Sequence, residues 1–184
     1  RGEAHRAARV VPASTRHDRY VLELEGARSY QRERAARSPS DPWVLLTAGK
    51  ALNELGDARS AAQILKRATG MMGQDARPWF HLGLARARQG RWEEAERAQR
   101  RVLELDEGNV LALNNLALAI LALGDPYEAT EILRDAARQD PRFHRTWIHL
   151  GEAHMARGEP QIAQENFQRG VRLAPTDAQA HHGL

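Results

Sequence analysis

Small and apolar residues recur along this chain at a fixed step of 34 residues, between positions 42 and 177. The step is clearest in four columns of glycine and alanine. The columns are Gly56, Gly90, Gly124 and Gly158; Ala61, Ala95, Ala129 and Ala163; Ala51, Ala85, Ala119 and Ala153; and Gly49, Gly83, Ala117 and Gly151. A period of this length predicts stacked units, each of which is one supersecondary element.

Each unit has the pattern of two amphipathic helices joined by a short turn. In the first unit Leu45, Gly49 and Leu52 share one helical face. Gly56 predicts a left-handed helix end, and Asp57 places an acid at the start of the next helix, where the helix dipole favours it. The second helices are predicted to bury Ala61, Leu65 and Ala68 in the first unit, and Ala129, Leu133 and Ala136 in the third. The pattern therefore predicts an all-α chain of hairpins.

The columns resemble the pattern of the tetratricopeptide repeat (TPR) family, which runs Trp, Leu-Gly, aromatic, Gly, Ala, aromatic, Ala and Pro. The fourth unit matches it best, with Trp147, Leu150, Gly151, Gly158, Ala163, Phe167 and Pro175. It departs from the pattern at His154, where the family prefers Tyr, and at Gly170, where it prefers Ala. The resemblance implies a right-handed α-solenoid of helix-turn-helix hairpins. Residues 52–57 and 114–119 also resemble bacterial pilus-assembly and secretion repeat proteins of the Tad type.

The repeat frame divides the chain into seven predicted segments. They are a flexible basic N-terminal tail (1–19), a capping helix or degenerate half repeat (20–41), four repeats (42–75, 76–109, 110–143 and 144–177), and the start of a fifth repeat or a capping helix (178–184). Because the chain starts at Arg1 and stops at Leu184 inside a new apolar pattern, we expect it to be a piece of a longer array. Open solenoid ends would then favour self-association.

The net charge and the lengths of the apolar stretches limit which partners this chain is expected to bind. The chain has 27 basic and 24 acidic side chains, and the whole excess lies in residues 1–41, so the repeats have no net basic charge to attract nucleic acid. No apolar stretch is long enough to predict a membrane span. Without cysteine, disulfides and thiolate metal sites are excluded, but the compartment stays open between bacterial cytoplasm and periplasm.

A row of polar residues is the candidate binding site. The resemblance implies that the first helix of each repeat lines a concave groove, and the sixth residue of each repeat is polar. We call these four residues the polar ladder: Thr47, His81, Asn115 and His149. Such side chains can hydrogen-bond the backbone of an extended peptide. The alternative is that they are polar only because they face solvent.

The residues around the polar ladder predict the chemistry of the ligand. They include Trp43, Arg77 and Arg145 at the second position of a repeat, Phe80 and Asn114 at the fifth, and Lys50 and Glu152 at the ninth. Arginine can bind a carboxylate through two parallel hydrogen bonds, so an acidic peptide or a free C-terminus is the predicted partner, although solvated rim arginines would look the same.

Chaperone-binding members of the family hold a C-terminal carboxylate with Lys and Asn, then Asn, then Lys and Arg, on three successive repeats. Asn115, Arg145 and His149 suit the last two repeats of this clamp. Phe80 and Leu84, however, occupy the positions expected to be Lys and Asn. We therefore do not predict binding of a chaperone tail.

No set of residues predicts catalysis, a cofactor or a metal site. His149 and His154 are five residues apart, which places them about 140° apart around a helix, so they cannot share a zinc ion. The first functional hypothesis is a non-catalytic scaffold that binds a protein or peptide in its groove, in a bacterial envelope, secretion or pilus-assembly complex. The alternative is a TPR domain that presents substrates to a glycosyltransferase, sulfotransferase or hydroxylase domain of a larger enzyme.

Overall fold

The structure, a computed structural model, describes residues 16–173, with side chains from residue 20 onwards. Helices joined by short turns account for this part of the chain. They are α1 (Arg16–Arg37), α2 (Pro42–Glu54), α3 (Ala58–Met71), α4 (Ala76–Ala87), α5 (Trp92–Leu105), α6 (Val110–Ala122), α7 (Pro126–Gln139), α8 (His144–Ala156) and α9 (Pro160–Leu173). The predicted all-α class is confirmed.

The helices pack in chain order as hairpins, α2 with α3, α4 with α5, α6 with α7 and α8 with α9. Each hairpin also packs on the next, and the first helices touch one another directly, α2 with α4, α4 with α6, and α6 with α8. These four first helices therefore form one continuous layer. The right-handed sense of the solenoid remains a prediction from the resemblance.

The turn inside each hairpin has the conformation that its glycine predicts. Gly56, Gly90, Gly124 and Gly158 have φ angles of 78°, 71°, 94° and 76°. Residues with a Cβ atom rarely adopt this left-handed region, which explains the glycine column. Asp57 and Asp125 then cap the following helices, accepting hydrogen bonds from the backbone N–H groups of Ser60 and of Tyr127 and Glu128. The second hairpin lacks this side-chain cap, because Arg91 stands at the position.

The second glycine column marks the closest approach of the two helices of a hairpin. A Cβ atom on Gly49 would overlap Leu65, one on Gly83 would overlap Gln99, and one on Gly151 would lie 2.5 Å from Phe167. The residues predicted to be buried in the second helices, including Ala61, Leu65, Ala129 and Leu133, are at most 1% exposed. The helices thus approach until a side chain of the second helix rests on the backbone of the first.

Helix α1 packs against α2 on the N-terminal side of the first hairpin. Arg28 donates to the carbonyl oxygen of Leu55 from Nε (2.9 Å) and Nη2 (2.7 Å), and Arg32 pairs with Asp57 at 2.8 Å. Ala35 is 1% exposed and joins the core of the first hairpin. Helix α1 begins at Arg16, so it includes the last four residues of the predicted tail, 16–19.

The predicted division into segments stays a prediction. Residues 1–15, most of the predicted tail, lie outside the described residues. So does 178–184, where the start of a fifth repeat is predicted.

Candidate functional site

The polar ladder lies on the continuous layer of first helices. Its members occupy the same position on α2, α4, α6 and α8, and each of these helices contacts the next. Thr47 is exposed, whereas His81, Asn115 and His149 are half-buried. The Thr47 hydroxyl already bonds to backbone carbonyls of its own helix, at 2.9 Å from Trp43 O and 3.2 Å from Val44 O. The Thr47 hydroxyl is therefore less available to a ligand than the side chains of His81 and Asn115.

The surroundings of His81 favour the neutral form of its imidazole. Burial lowers the pKa of His81 below its usual 6.5, and the positive charge of Lys50 lowers it further, while Glu54 opposes this change. Lys50 itself lies 4.0 Å from the Glu54 carboxylate. A neutral imidazole has one donor and one acceptor nitrogen, so His81 can hydrogen-bond either side of a peptide group.

Asn114 lies deeper than the predicted groove contact. It is 3% exposed, and its side-chain NH₂ donates to Val110 O at 2.8 Å and to Thr146 Oγ1 at 2.9 Å. Its side-chain oxygen lies 3.0 Å from His149 Nδ1. Asn114 therefore ties α6 to α8 and orients the His149 ring. Repeat position alone does not reveal this depth, because the fifth position points between neighbouring helices.

The two predicted arginines differ in their surroundings. Arg77 Nε donates to Asp75 Oδ1 at 2.9 Å, and the Arg77 guanidinium lies 4.7 Å from the ring centre of Trp43. The Arg77 hydrogen bonds hold the pKa of the Asp75 carboxyl below its usual value. A ligand carboxylate would have to compete with Asp75 for Arg77. Arg145 is exposed on α8.

Glu152 is a half-buried carboxyl on the layer of first helices. Burial raises the pKa of Glu152 above its usual value. A group in this state gains from an approaching positive charge, because the charge stabilises the ionised form that burial disfavours. Lys50 on α2 and Glu152 on α8 thus place opposite charges towards the two ends of the layer.

The structure also contains a cavity that the sequence pattern does not predict. It measures about 330 Å³ and lies between α4 and α6, with α5 behind it. Asn115 of the polar ladder is among its lining residues, and so is Gln99 of α5. Gln99 stands in the column that holds Leu65, Leu133 and Phe167 in the other repeats. A polar residue in an apolar column is the sequence feature that would have pointed to the cavity.

His154 has a structural role. His154 is 3% exposed, and its Nδ1 lies 2.6 Å from the Glu159 carboxylate. Between residues 16 and 173 no group of three or more His, Asp or Glu side chains is arranged to hold a metal ion. No helix within that range has the length and apolar character needed to cross a membrane.

The stacked hairpins and the continuous layer of first helices define a helical-hairpin repeat protein. Family models of the tetratricopeptide repeat match residues 76–109 and 121–184, together more than half of the chain. The chain is a tetratricopeptide repeat protein.

Among curated proteins, the chain is 29% identical over 84 residues to small glutamine-rich tetratricopeptide repeat-containing protein 2 of Mycosarcoma maydis. It is 32% identical over 68 residues to TPR repeat-containing protein PA0015 of Pseudomonas aeruginosa. These matches cover 46% and 37% of this chain. They span 24% and 65% of the relatives' own lengths, which is less than two thirds of either protein.

Solved structures show the same fold. The crystal structure of MamA has a TM-score of 0.72 at 21% identity, covering 89% of this chain and 95% of that one. A MamA chain from Desulfovibrio magneticus RS-1 gives the same TM-score. YrrB, described as a TPR protein with an unusual peptide-binding site, has a TM-score of 0.70 at 18% identity, covering 89% and 84% of the two chains. At these identities the likeness establishes the fold.

Proposed function

We propose that this chain is a protein-interaction scaffold that binds an extended segment of a partner protein along the layer formed by α2, α4, α6 and α8. The observation that carries the proposal is the polar ladder. Three of its four members are half-buried, and the first helices on which they stand are in direct contact. Hydrogen-bonding groups repeated along a continuous surface suit an extended peptide, whose own N–H and C=O groups recur along its length.

Family membership supports the same proposal. YrrB, which shares the fold, is described as having a peptide-binding site. The opposite charges of Lys50 and Glu152 also favour a polar, charged peptide over a purely apolar one. Arg145 and Lys50 supply positive charge for an acidic residue or a free C-terminus of the partner.

We propose a bacterial envelope, secretion or pilus-assembly complex as the setting. The resemblance of residues 52–57 and 114–119 to Tad-type repeat proteins supports it, as does the match to a Pseudomonas aeruginosa protein. The partner would then be another component of the assembly, held by this chain without chemical change.

The test is selection of peptides from a random phage-displayed library on the immobilised chain. Selected peptides are then measured by fluorescence anisotropy against wild type and against His81→Ala, Asn115→Ala and Arg145→Glu combined. We expect the triple variant to bind at least tenfold more weakly, because it removes two ladder contacts and reverses one charge.

A matched triple variant on the second helices is the control. It combines Gln63→Ala, Gln164→Ala and Arg134→Glu, all exposed residues. We expect it to bind as wild type does. If both triple variants bind every selected peptide equally well, the binding surface is elsewhere and the proposal fails.

A further inference from the structure

The cavity between α4 and α6 lies within the proposed groove. Its walls are mainly apolar, with Leu84 and Ala87 from α4, Trp92 and Ala95 from α5, and Leu118 from α6. Arg88 and Asn115 also line it. A small concave site with apolar walls and a few polar groups is typical of a pocket that takes one side chain of a ligand.

The cavity exists because one residue at this junction is small. Ala87 occupies the repeat position that holds Asn53, Leu121 and Met155 in the other repeats. At the junction of α2 and α4, Asn53 is 3% exposed and its Nδ2 donates to His81 O at 2.8 Å, bridging the two helices. Leu121 is half-buried against the core of the third hairpin. Alanine can do neither, so the space between α4 and α6 stays open.

A buried amide forms part of the cavity wall. Gln99 is 1% exposed, and its Nε2 donates to Phe80 O at 3.2 Å. This bond sets the orientation of the amide and makes Oε1 the atom left to accept. Gln99 Oε1 is buried and has no hydrogen-bond partner among the described residues. A buried acceptor without a donor is costly to folding, so a donor that reaches it gains more than one in water.

The ninth residue of the repeat carries opposite charges on the two sides of the cavity. Lys50 lies on α2, before the cavity, and Glu152 lies on α8, after it. Packed helices are about 9 Å apart, so each charge is about 14 Å from the cavity, which is about four residues of extended chain. A peptide that matches both charges has an acidic residue about four positions to one side of its anchor and a basic residue about four positions to the other.

We propose that this cavity anchors a tyrosine or tryptophan side chain of an extended partner peptide, whose O–H or N–H donates to Gln99 Oε1. An acidic residue of the same peptide lies towards Lys50, and a basic residue lies towards Glu152. Tyrosine and tryptophan fit because each joins a large apolar ring to a single donor that needs a partner when buried. The inference rests on the proposed function, and it names the class of peptide.

The test uses a fluorescein-labelled peptide with Glu at one end, Tyr at the centre, Lys at the other end, and three Ser or Ala residues between each pair. Versions with Phe and with Ala at the centre are made alongside it. On wild type we expect the Phe version to bind about fivefold more weakly, the value of one hydrogen bond. The Ala version should bind more than tenfold more weakly, because the ring is lost as well.

Two protein variants separate the cavity from the rest of the groove. Ala87→Leu fills the cavity with the side chain that Leu121 presents at the same position, and should weaken binding of the Tyr peptide at least tenfold. Gln99→Leu removes the acceptor and has Leu65 and Leu133 as precedents in its column. It should abolish the difference between the Tyr and Phe peptides. Ala36→Leu is the control, the same change as Ala87→Leu at an exposed residue of α1, outside the layer of first helices, and should bind as wild type does.

Charge placement is tested with a peptide that has Lys at both ends. Wild type should bind the peptide with two Lys ends more weakly than the peptide with one Glu and one Lys end. The Lys50→Glu variant should prefer the peptide with two Lys ends. Thermal melting of each variant, followed by circular dichroism, establishes that it is folded.

The outcomes separate this inference from the proposed function. If library-selected peptides require the polar ladder but lack aromatic residues, or bind Ala87→Leu as tightly as wild type, the inference is overturned while the scaffold function stands. If neither the designed nor the selected peptides depend on ladder residues, both fail. A Tyr-over-Phe preference that persists in Gln99→Leu overturns the assigned role of Gln99.

Discussion

Two neighbouring junctions of this solenoid are built on the same backbone and filled in opposite ways. At the first junction, where α2, α3 and α4 meet, Leu65 rests on Gly49 and Asn53 bridges to His81. At the second junction, where α4, α5 and α6 meet, Gln99 rests on Gly83 and Ala87 leaves a cavity. The repeated small residues give both junctions the same helix arrangement. A junction that has a different residue at an equivalent position therefore differs only in the surface between its helices. We expect such departures to mark the positions that contact a ligand.

The largest expected effect comes from emptying the first junction. Leu65 is fully buried, so Leu65→Ala should lower the free energy of unfolding by about 3 kcal/mol, the transfer and cavity cost of a buried leucine. Gln99→Ala, at the same place in the second junction, should cost less, because it also removes an unpaired buried acceptor. Urea denaturation followed by circular dichroism measures both. Equal losses would mean that Leu65 and Gln99 fill the two junctions equivalently.

Overpacking should distinguish the hairpin interior from the cavity. Ala129 is fully buried where the helices of the third hairpin meet, so Ala129→Leu should destabilise the chain by about 2 kcal/mol. Ala87→Leu adds the same atoms into open space and should change stability much less. Ala61→Leu, in the first hairpin, should repeat the Ala129→Leu result. Matching losses for Ala87→Leu and Ala129→Leu in urea denaturation would show that the cavity is not available space.

Making the second junction resemble the first should stabilise the chain. Gln99→Leu replaces an amide that has one satisfied and one unsatisfied polar atom, so we expect a gain of about 1 kcal/mol. The Phe80 carbonyl loses a donor but remains inside α4. If Gln99→Leu is more stable and also binds the Tyr peptide more weakly, Gln99 lowers stability in the wild type in exchange for peptide binding. A loss of stability in the same denaturation experiment would place Gln99 among the structural residues instead.

The smallest expected effect is the pH response of the first junction. Because the pKa of His81 is lower in the folded chain than its usual 6.5, the unfolded chain binds a proton first as pH falls. Stability should therefore decrease below about pH 6.5. His81→Gln should lose less stability than wild type between pH 7.5 and pH 5. Parallel stability curves for the two proteins would contradict the lowered pKa.

Much of the fold is predictable because it depends on residue type and period alone. Gly56 and its three equivalents predict left-handed helix ends, and the structure confirms all four. The burial of Ala61 and Ala129 follows from the same frame and is also confirmed. The groove is less predictable, since a repeat position indicates a face but not a depth. Asn114 is therefore placed too near the surface by sequence reasoning, and the cavity at Ala87 depends on three helices that the sequence does not bring together.

The step of 34 residues also bears on how such a chain can change over time. Residues that set the backbone, such as Gly90 and Ala85, and residues that line the cavity, such as Leu84 and Ala87, occupy different positions of the same unit. A substitution at a groove position leaves the neighbouring contacts of the backbone intact. Duplication or exchange of whole units would then reorder pockets and charges along the groove. New recognition sequences would be available to the chain without a new fold.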